Sequence, residues 1–428
     1  MLKLDLPANL STNLIAILYS KEKRITSLKL IKILSALLIV CWLISCNSNL
    51  ILVPDSPYPI SNDSFSIDTI AQGFTIPYGL AIIEENEYLI TDRIGKLYHF
   101  KAGIQTEVLG IPKVVTFGTS GIPAILHGGL MDLSLHPNYS INSWIYICYL
   151  DIDGFAKVSR FKIVHNVAIE LETIFKTRAQ HYTGNGMRIV WENDTHFFLN
   201  VGNSNLSTYA NPVLNAQDLA DDAGKIHRLM DDGSIPKDNP IFENYDAPTS
   251  IWTYGHRDVQ GLYFDQSTNT LFGIEHGPKG GDEFNVIEKG KNYGWPLFSY
   301  GINYDGAWVS TISKDSAATF TVLPEYYWTV PTSDGGQAIG PACLLKVRGS
   351  NISDWNDYFL FGSLFYSRLM KYNRESDETF GLAIEGRVRT IQQLPSGDFL
   401  ALIERNDLTK SNGMIIKIQN ENPNKNNK

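Results

Sequence analysis

The sequence predicts an all-β chain whose strands fall into six similar groups closed into a ring, and three observations carry that expectation. No helical period of three to four persists between residues 67 and 420; the apolar runs are short, aromatic or β-branched, and separated by Gly, Asn, Asp and Pro. A three-strand unit recurs six times: a first strand ending near a turn, a very apolar second strand, and a third alternating basic and apolar residues. The units begin at uneven intervals of roughly 47 to 80 residues, so large loops are inserted, most of all after units three and four.

In chain order, the first unit is Tyr78-Ile82, Tyr88-Thr91 and Lys96-Phe100, and the second is Leu130-Leu135, Trp144-Tyr149 and Lys157-Phe161. The third is Met187-Val190, Phe197-Val201 and Lys225-Leu229; the fourth is Gly261-Phe264, Leu271-Ile274 and Glu283-Ile287. Ala342-Val347, Tyr358-Phe361 and Arg368-Tyr372 make the fifth, and Val388-Ile391, Phe399-Ile403 and Met414-Ile418 the sixth. A unit of three or four strands cannot hide both faces alone, and closing six of them in a ring buries the faces and shields the edges. The result is a six-bladed β-propeller with long inserted loops at one rim of its channel, where ligands bind. Two stacked β-sandwiches are the alternative, with shorter and more even connections.

Composition agrees. In 428 residues, 43% are hydrophobic and 19% charged, which excludes disorder, a collagen-like fibre and a disulfide-stapled miniprotein. The net charge is −9 and no Lys/Arg block follows residue 46, so nucleic acid is not an expected partner.

Residues 21–46 carry a basic flank, Lys21, Lys23, Arg24, Lys29 and Lys32, and then an apolar run from Ile33 to Ile44. The run is short of the roughly 20 residues a bilayer-spanning helix needs and matches the central region of a secretory signal. It ends in Leu43-Ile44-Ser45-Cys46, which resembles a bacterial lipobox, with Cys46 as the point of lipid attachment. A membrane-anchoring helix with an incidental Cys is the other reading. The expected organisation is a signal over 1–45 with its start placed too early, a lipid-anchored tether over 46–66, the propeller over 67–420 and a polar tail over 421–428. The expected location is exported and membrane-anchored, in the periplasm or on the outer cell surface. Cys148 and Cys343 sit in apolar stretches and read as two buried free thiols.

Four loops are dense in Gly and polar residues between apolar strands: LHGGLMDLSLHP (126–137), HYTGNGM (181–187), YGHRDVQG (254–261) and EHGPKGGDE (275–283). In the last, the Gly277 and Pro278 carbonyls with the Asp282 and Glu283 carboxylates suit a hard cation such as calcium, or form a solvated acidic turn. His181 lies in a loop and has the pKa range needed to take a proton from a hydroxyl, with a structural hydrogen-bonding role as the alternative. Arg257, Arg387 and Arg389 suit a multiply charged carboxylate ligand, although Arg387 and Arg389, two apart on a strand, also suit charge pairing on one face. No Walker loop, dinucleotide fingerprint, paired-histidine zinc motif or nucleophile elbow occurs in its required context.

GGLMDLSLHPNY (128–139), AQDLADDAGKIHRLMDDGSIPKDNP (216–240), SIWTYGHRDVQGL (250–262), IEHGPKGGDEFNVIEKGKNYGWPLFSYGINYDG (274–306) and GRVRTIQQLPSGDFL (386–400) resemble the soluble glucose/sorbosone dehydrogenases that use pyrroloquinoline quinone (PQQ), including the aldose sugar dehydrogenase branch. That resemblance implies four-stranded blades and the oxidation of an aldose sugar or related alcohol by hydride transfer to PQQ. His181 matches the general base and Arg257 the arginine beside the reacting carbon of the quinone. Gly277 and Pro278 match the carbonyls on the catalytic calcium; Asp282, Glu283 and Tyr293 match residues of a second calcium site; Arg387 and Arg389 match the pair that grips the cofactor carboxylates. It also implies a possible homodimer, and leaves the electron acceptor unspecified. The chain departs from the pattern at His127 for a glutamine, at Gly184-Asn185-Gly186-Met187 where Arg188 comes one step late, and at Asn203 for the aspartate that orients the base. It departs again at Asp258 for an asparagine and at Phe365 for a lysine. Those departures also fit a calcium-stabilised propeller that binds a glycan or a protein partner without redox chemistry.

Overall fold

A computed structural model describes residues 56–115, 128–180, 186–203, 214–329, 338–405 and 412–421. Cys46, His127 and His181 lie outside the described residues.

Six four-stranded antiparallel sheets follow one another along the chain. The first described strand belongs to the last sheet: β1 (Phe65–Phe74) pairs with β24 (Gly413–Asn420), from Phe65↔Asn420 to Phe74↔Gly413. The first blade is therefore β2 (Pro77–Glu84), β3 (Glu87–Asp92), β4 (Lys96–Lys101) and β5 (Ile104–Val108). The second is β6 (Leu130–Leu135), β7 (Ile145–Leu150), β8 (Ala156–Val164) and β9 (Val167–Lys176), and the third β10 (Ile189–Trp191), β11 (His196–Val201), β12 (Lys225–Met230) and β13 (Ile251–Tyr254). The fourth is β14 (Val259–Asp265), β15 (Thr270–Glu275), β16 (Asp282–Ile287) and β17 (Tyr326–Trp328), and the fifth β18 (Leu345–Lys346), β19 (Phe359–Ser363), β20 (Arg368–Asn373) and β21 (Glu378–Glu385). The sixth joins β22 (Arg387–Gln393), β23 (Phe399–Glu404) and β24 to β1, so the first and last described strands share one sheet and the ring is closed by backbone hydrogen bonds.

All three strands expected in each unit are present, and every sheet adds a fourth, outer strand. The packing explains the ring. Six hydrophobic clusters among the described residues each join neighbouring blades: Leu89 and Ile147 between one and two, Tyr146 and Phe197 between two and three, Phe198 and Leu271 between three and four. Phe284 and Tyr372 link four and five, Leu360 and Phe399 five and six, and Leu402 and Tyr88 six and one. The second strands, such as β7, are buried along their whole length because a blade covers each face. Cys148 and Cys343 are free and buried.

The stretch ahead of β1 docks on blade five. Ser61 N donates to Gly381 O at 2.8 Å, Gly381 N to Pro59 O at 2.9 Å, and Asp63 meets Lys371 Nζ at 2.6 Å and Trp355 Nε1 at 2.9 Å. The part of the expected tether from Pro59 onward is thus held against the propeller.

The large insertion of blade four lies between β16 and β17 and folds back over the sheet: Tyr254 bridges Asn292, and Ile302 pairs with Lys279. Blade three buries a histidine. His227 Nδ1 lies 3.0 Å from Ser250 Oγ and Nε2 3.2 Å from Asp222 O, and burial pushes the ring down to about 4. The folded state resists protonation, so this group's contribution is complete above the ordinary histidine pKa near 6.5 and is lost as pH falls through 4. His227→Asn should remove about 3 kcal/mol of that acid sensitivity, read as flatter urea midpoints between pH 7 and 4.

Candidate functional site

The described parts of three segments singled out in the sequence, at Gly186, 254–261 and 275–283, are joined by a run of hydrogen bonds. It starts at the close of the His181 loop. Gly186, the first described residue after it, donates its N–H to Asp258 Oδ1 at 2.8 Å, and its carbonyl accepts from Gly202 N at 3.1 Å and Asn200 Nδ2 at 2.7 Å. Asn203 N donates to Arg257 O at 2.7 Å. The end of β11, Gly186 and the β13–β14 turn are therefore fastened together. Arg178, after β9, is held by Asp222, which accepts from Arg178 N at 2.6 Å and from its guanidinium at 2.6 Å and 3.0 Å.

Arg257 N donates to Glu275 Oε2 at 2.8 Å, its Nη1 donates to His276 O at 3.1 Å, and the guanidinium carbon lies 5.3 Å from the Trp295 ring centre. His276 N donates to Asp258 O at 3.0 Å, and its Nε2 lies 2.7 Å from Pro341 O of blade five. Asp258 is buried, and the loss of water pushes its carboxyl up to about 6.

Gly277 opens a tight turn in which an added Cβ would sit 2.2 Å from Gly280 O and 2.4 Å from Gly281 O, so only glycine lets these carbonyls crowd together. Asp282 holds the turn: Oδ1 accepts from Gly277 N at 2.8 Å, and Oδ2 from Ile339 N at 2.5 Å and Gly340 N at 2.9 Å. Its carboxylate is spent on backbone amides, which gives it a clamping role at this loop.

Glu283 points the other way, into a cavity it shares with Glu275, Tyr293 and Ser299, large enough for about one water molecule or ion. Asn285 Nδ2 bonds Glu275 Oε1 at 3.0 Å and Glu283 Oε2 at 3.3 Å. Burial, and then the neighbouring Glu275, push the Glu283 carboxyl well above its usual range. Tyr293 frames this cavity; its ring stacks on His256 with centres 4.5 Å apart, and its hydroxyl donates to Val286 O at 2.6 Å. Among the described residues no three or more His, Cys, Asp or Glu side chains gather as a ready metal cluster.

Blade six supplies the cations. Arg387 and Arg389 both pair with Glu404, Arg387 Nε at 3.2 Å from Oε1, and Arg387 Nη1 donates to Leu364 O at 3.0 Å. Arg93, at the end of β3, donates from Nε to Gly128 O at 2.8 Å. Burial first, then the Arg389 charge, bring Arg93 and Arg387 each down to about 10. Behind them Arg188 crosses the channel axis, donating to Gln260 O at 2.9 Å, Arg389 O at 2.6 Å and Thr390 Oγ1 at 2.9 Å.

A family model described as Glucose / Sorbosone dehydrogenase matches residues 74–416. The chain belongs to the glucose/sorbosone dehydrogenase family. Aldose sugar dehydrogenase YliI of Escherichia coli is 30% identical over 373 residues, 83% of this chain and 93% of that protein, and quinoprotein glucose dehydrogenase B of Acinetobacter calcoaceticus is 27% identical over 62% of this chain and 59% of its own length. The crystal structure of the apo soluble aldose sugar dehydrogenase of E. coli superposes with a TM-score of 0.70 at 27% identity, covering 83% of this chain and all of that one.

Against that family pattern, Arg257 and Asp258 fall on the β13–β14 connection, Gly277 and Pro278 on the β15–β16 connection and Tyr293 on the β16–β17 connection, while Asp282 and Glu283 open β16 and Arg387 and Arg389 lie at the start of β22. Arg93, Glu275 and Glu404 also belong to the site and were not singled out from sequence. Glu275 stands inside the glycine-rich segment already marked, whereas Arg93 and Glu404 end apolar strands in blades one and six and carry no local signal.

Proposed function

We propose that the protein is a calcium- and PQQ-dependent dehydrogenase acting on an aldose sugar or a related alcohol. The observation that carries this is the arginine trio of buried Arg93 and Arg389 with half-buried Arg387, which has Glu404 as its shared counter-charge and is linked to the Gly277 turn by hydrogen bonds through Leu364, Gly340 and Asp282. Three guanidinium groups around one carboxylate leave an excess of positive charge, which suits a ligand with several carboxylates. The crowded Gly277 turn and the Glu275/Glu283 cavity suit calcium, which accepts carbonyl and carboxylate oxygen in irregular geometry. Gly277 and Pro278 would hold the catalytic ion, and Glu283 with Tyr293 the second.

PQQ, when bound, supplies the hydride acceptor. In this chain His181 takes the proton from the sugar hydroxyl, and Asn203 orients it. Arg257, fixed by the His276 carbonyl and the Trp295 ring, keeps a positive charge where negative charge develops. Arg387, Arg389 and Arg93 would bind the carboxylates of the cofactor, and His127 and Asp258 would contribute to holding it.

The test is an absorbance titration of the calcium-loaded chain with PQQ, followed by dye reduction with a panel of aldoses. Saturable uptake, weakened at least tenfold in Arg387→Met, and sugar-dependent dye reduction abolished in His181→Ala are expected. No spectral change and no turnover with any sugar would sink the redox reading and leave the non-catalytic, calcium-stabilised propeller. That second reading is favoured by Asp258, an added buried acid where the family has a neutral amide.

Calcium should also be visible in stability. With calcium at 100 times its dissociation constant, chelation should cost about 2.7 kcal/mol in urea unfolding. Glu283→Gln should lose most of that response, because one buried carboxylate no longer needs a cation.

We also propose export and lipid attachment at Cys46, and among the described residues no helix is long and apolar enough to cross a membrane. Fatty-acid labelling lost in Cys46→Ala checks the anchor.

A further inference from the structure

The insertion between β16 and β17 has two sides. Its inner side, with Tyr293, Trp295 and Ser299, lines the candidate site. Its outer side forms one wall of a separate groove of about 550 Å³, completed by β17 and by Tyr58 of the docked N-terminal stretch, a size typical of sites that hold small molecules.

The groove is walled by Tyr58, Tyr300, Tyr326 and Tyr327, with Lys314 and Glu325 also lining it. Tyr300 and Tyr327 are stacked, ring centres 3.8 Å apart and planes 11° from parallel, and Tyr327 is 42% exposed. None of the four tyrosine hydroxyls is hydrogen-bonded to a described residue. Glu325 is already neutralised by Arg374, whose Nη2 lies 2.9 Å from Oε2. The surface therefore offers flat apolar ring faces edged by four unclaimed hydroxyls and very little net charge.

This combination selects a ligand class. A purely apolar chain would strand the hydroxyls, and a polyanion would need more cations than Lys314. A neutral sugar chain fits both features, because a pyranose ring has apolar C–H faces to lay on an aromatic ring and a rim of hydroxyls to exchange hydrogen bonds with the tyrosines. Tyr300 leads into a hairpin in which Ile302 pairs with Lys279, two residues past Gly277, and with Trp308, which is 71% exposed.

We propose that the groove between Tyr58 and the Tyr300/Tyr327 stack is a second carbohydrate site, outside the channel, that holds a neutral glycan chain and presents it along the hairpin to the channel mouth. Binding there needs neither PQQ nor turnover, so it stands or falls apart from the redox reading.

The experiment is calorimetric titration of the purified full chain, in calcium and without PQQ, with cellohexaose and with maltohexaose. At least one hexaose should bind. Tyr327→Ala, at an exposed position on an outer strand, should weaken that binding at least tenfold, and Tyr58→Phe, which keeps the ring packed against Tyr366 and loses only the hydroxyl, should weaken it at least threefold with an unchanged melting temperature. No binding of either hexaose, or binding that both substitutions leave intact, overturns the proposal; the second result assigns the sugar to the channel instead.

Discussion

Arg188→Met is expected to lower the free energy of unfolding by about 3 to 5 kcal/mol, the range for removing one partner of a buried charge network. Arg188 is buried on β10's approach to the channel axis, and its guanidinium reaches four other blades: Tyr78 O at 3.4 Å, Asp132 Oδ1 at 3.3 Å, Gln260 O at 2.9 Å, and in blade six Arg389 O at 2.6 Å with Thr390 Oγ1 at 2.9 Å. It also lies over the Tyr78 ring at 4.2 Å. Methionine has similar length and no donors, so three carbonyls lose a partner and the fully buried Asp132 loses its cation. Asp132 would keep the Ile189 N–H at 3.1 Å, and burial, already raising its pKa, would then favour its neutral form. Urea unfolding at pH 7 measures the loss. Arg188→Lys should recover only part of it, because a single ammonium cannot span that arc. A loss below 1 kcal/mol would show that the blades are held by their apolar interfaces alone.

Arg188 also marks the limit of what was legible beforehand. Its place in the sequence, one step after the expected arginine, read as a departure, and nothing local reveals that five innermost strands converge on it. The eighteen inner strands were legible because a blade packs on each side and burial forces apolar, β-branched sequence on them. The outer strands were not: β9 reads VAIELETIFK and alternates as a strand should, but it is exposed at most positions, Val167, Ile169 and Leu171 among them, so no shared burial-driven apolar pattern ties it to the outer strands of the other units. The N-terminal strand β1 was hidden by topology, since its partner β24 lies more than 300 residues away. At the site, motif-bearing loops were visible because glycine and charge concentrate there. Asp282 and Glu283 show the remaining gap: adjacent acids read as equivalent cation ligands, yet strand alternation turns Asp282 to three backbone amides and Glu283 to the cavity beside Glu275.

Asn203→Asp is expected to raise kcat about a hundredfold, and that expectation rests on the proposed dehydrogenase chemistry. Asn203 ends β11 at a fixed point, its N–H bonded to Arg257 O at 2.7 Å while the preceding Gly202 is bonded to Gly186 O at 3.1 Å. The backbone is thus tied on one side to Arg257 and on the other to Gly186, five residues after His181 in the sequence. An amide there orients an imidazole by hydrogen bonding but does nothing for the positive charge it acquires on taking a proton. A carboxylate does both, and the ion pair contributes about 2 to 4 kcal/mol in the transition state. The gain should appear in kcat with KM little changed, since the charge exists only as the proton moves. It should also shift the acidic limb of the pH–rate profile upward, because a neighbouring carboxylate favours the protonated imidazole. His181→Ala in the same background should erase the gain. A change below threefold, or a faster enzyme whose acidic limb does not move, would mean that Asn203 does not face the catalytic imidazole.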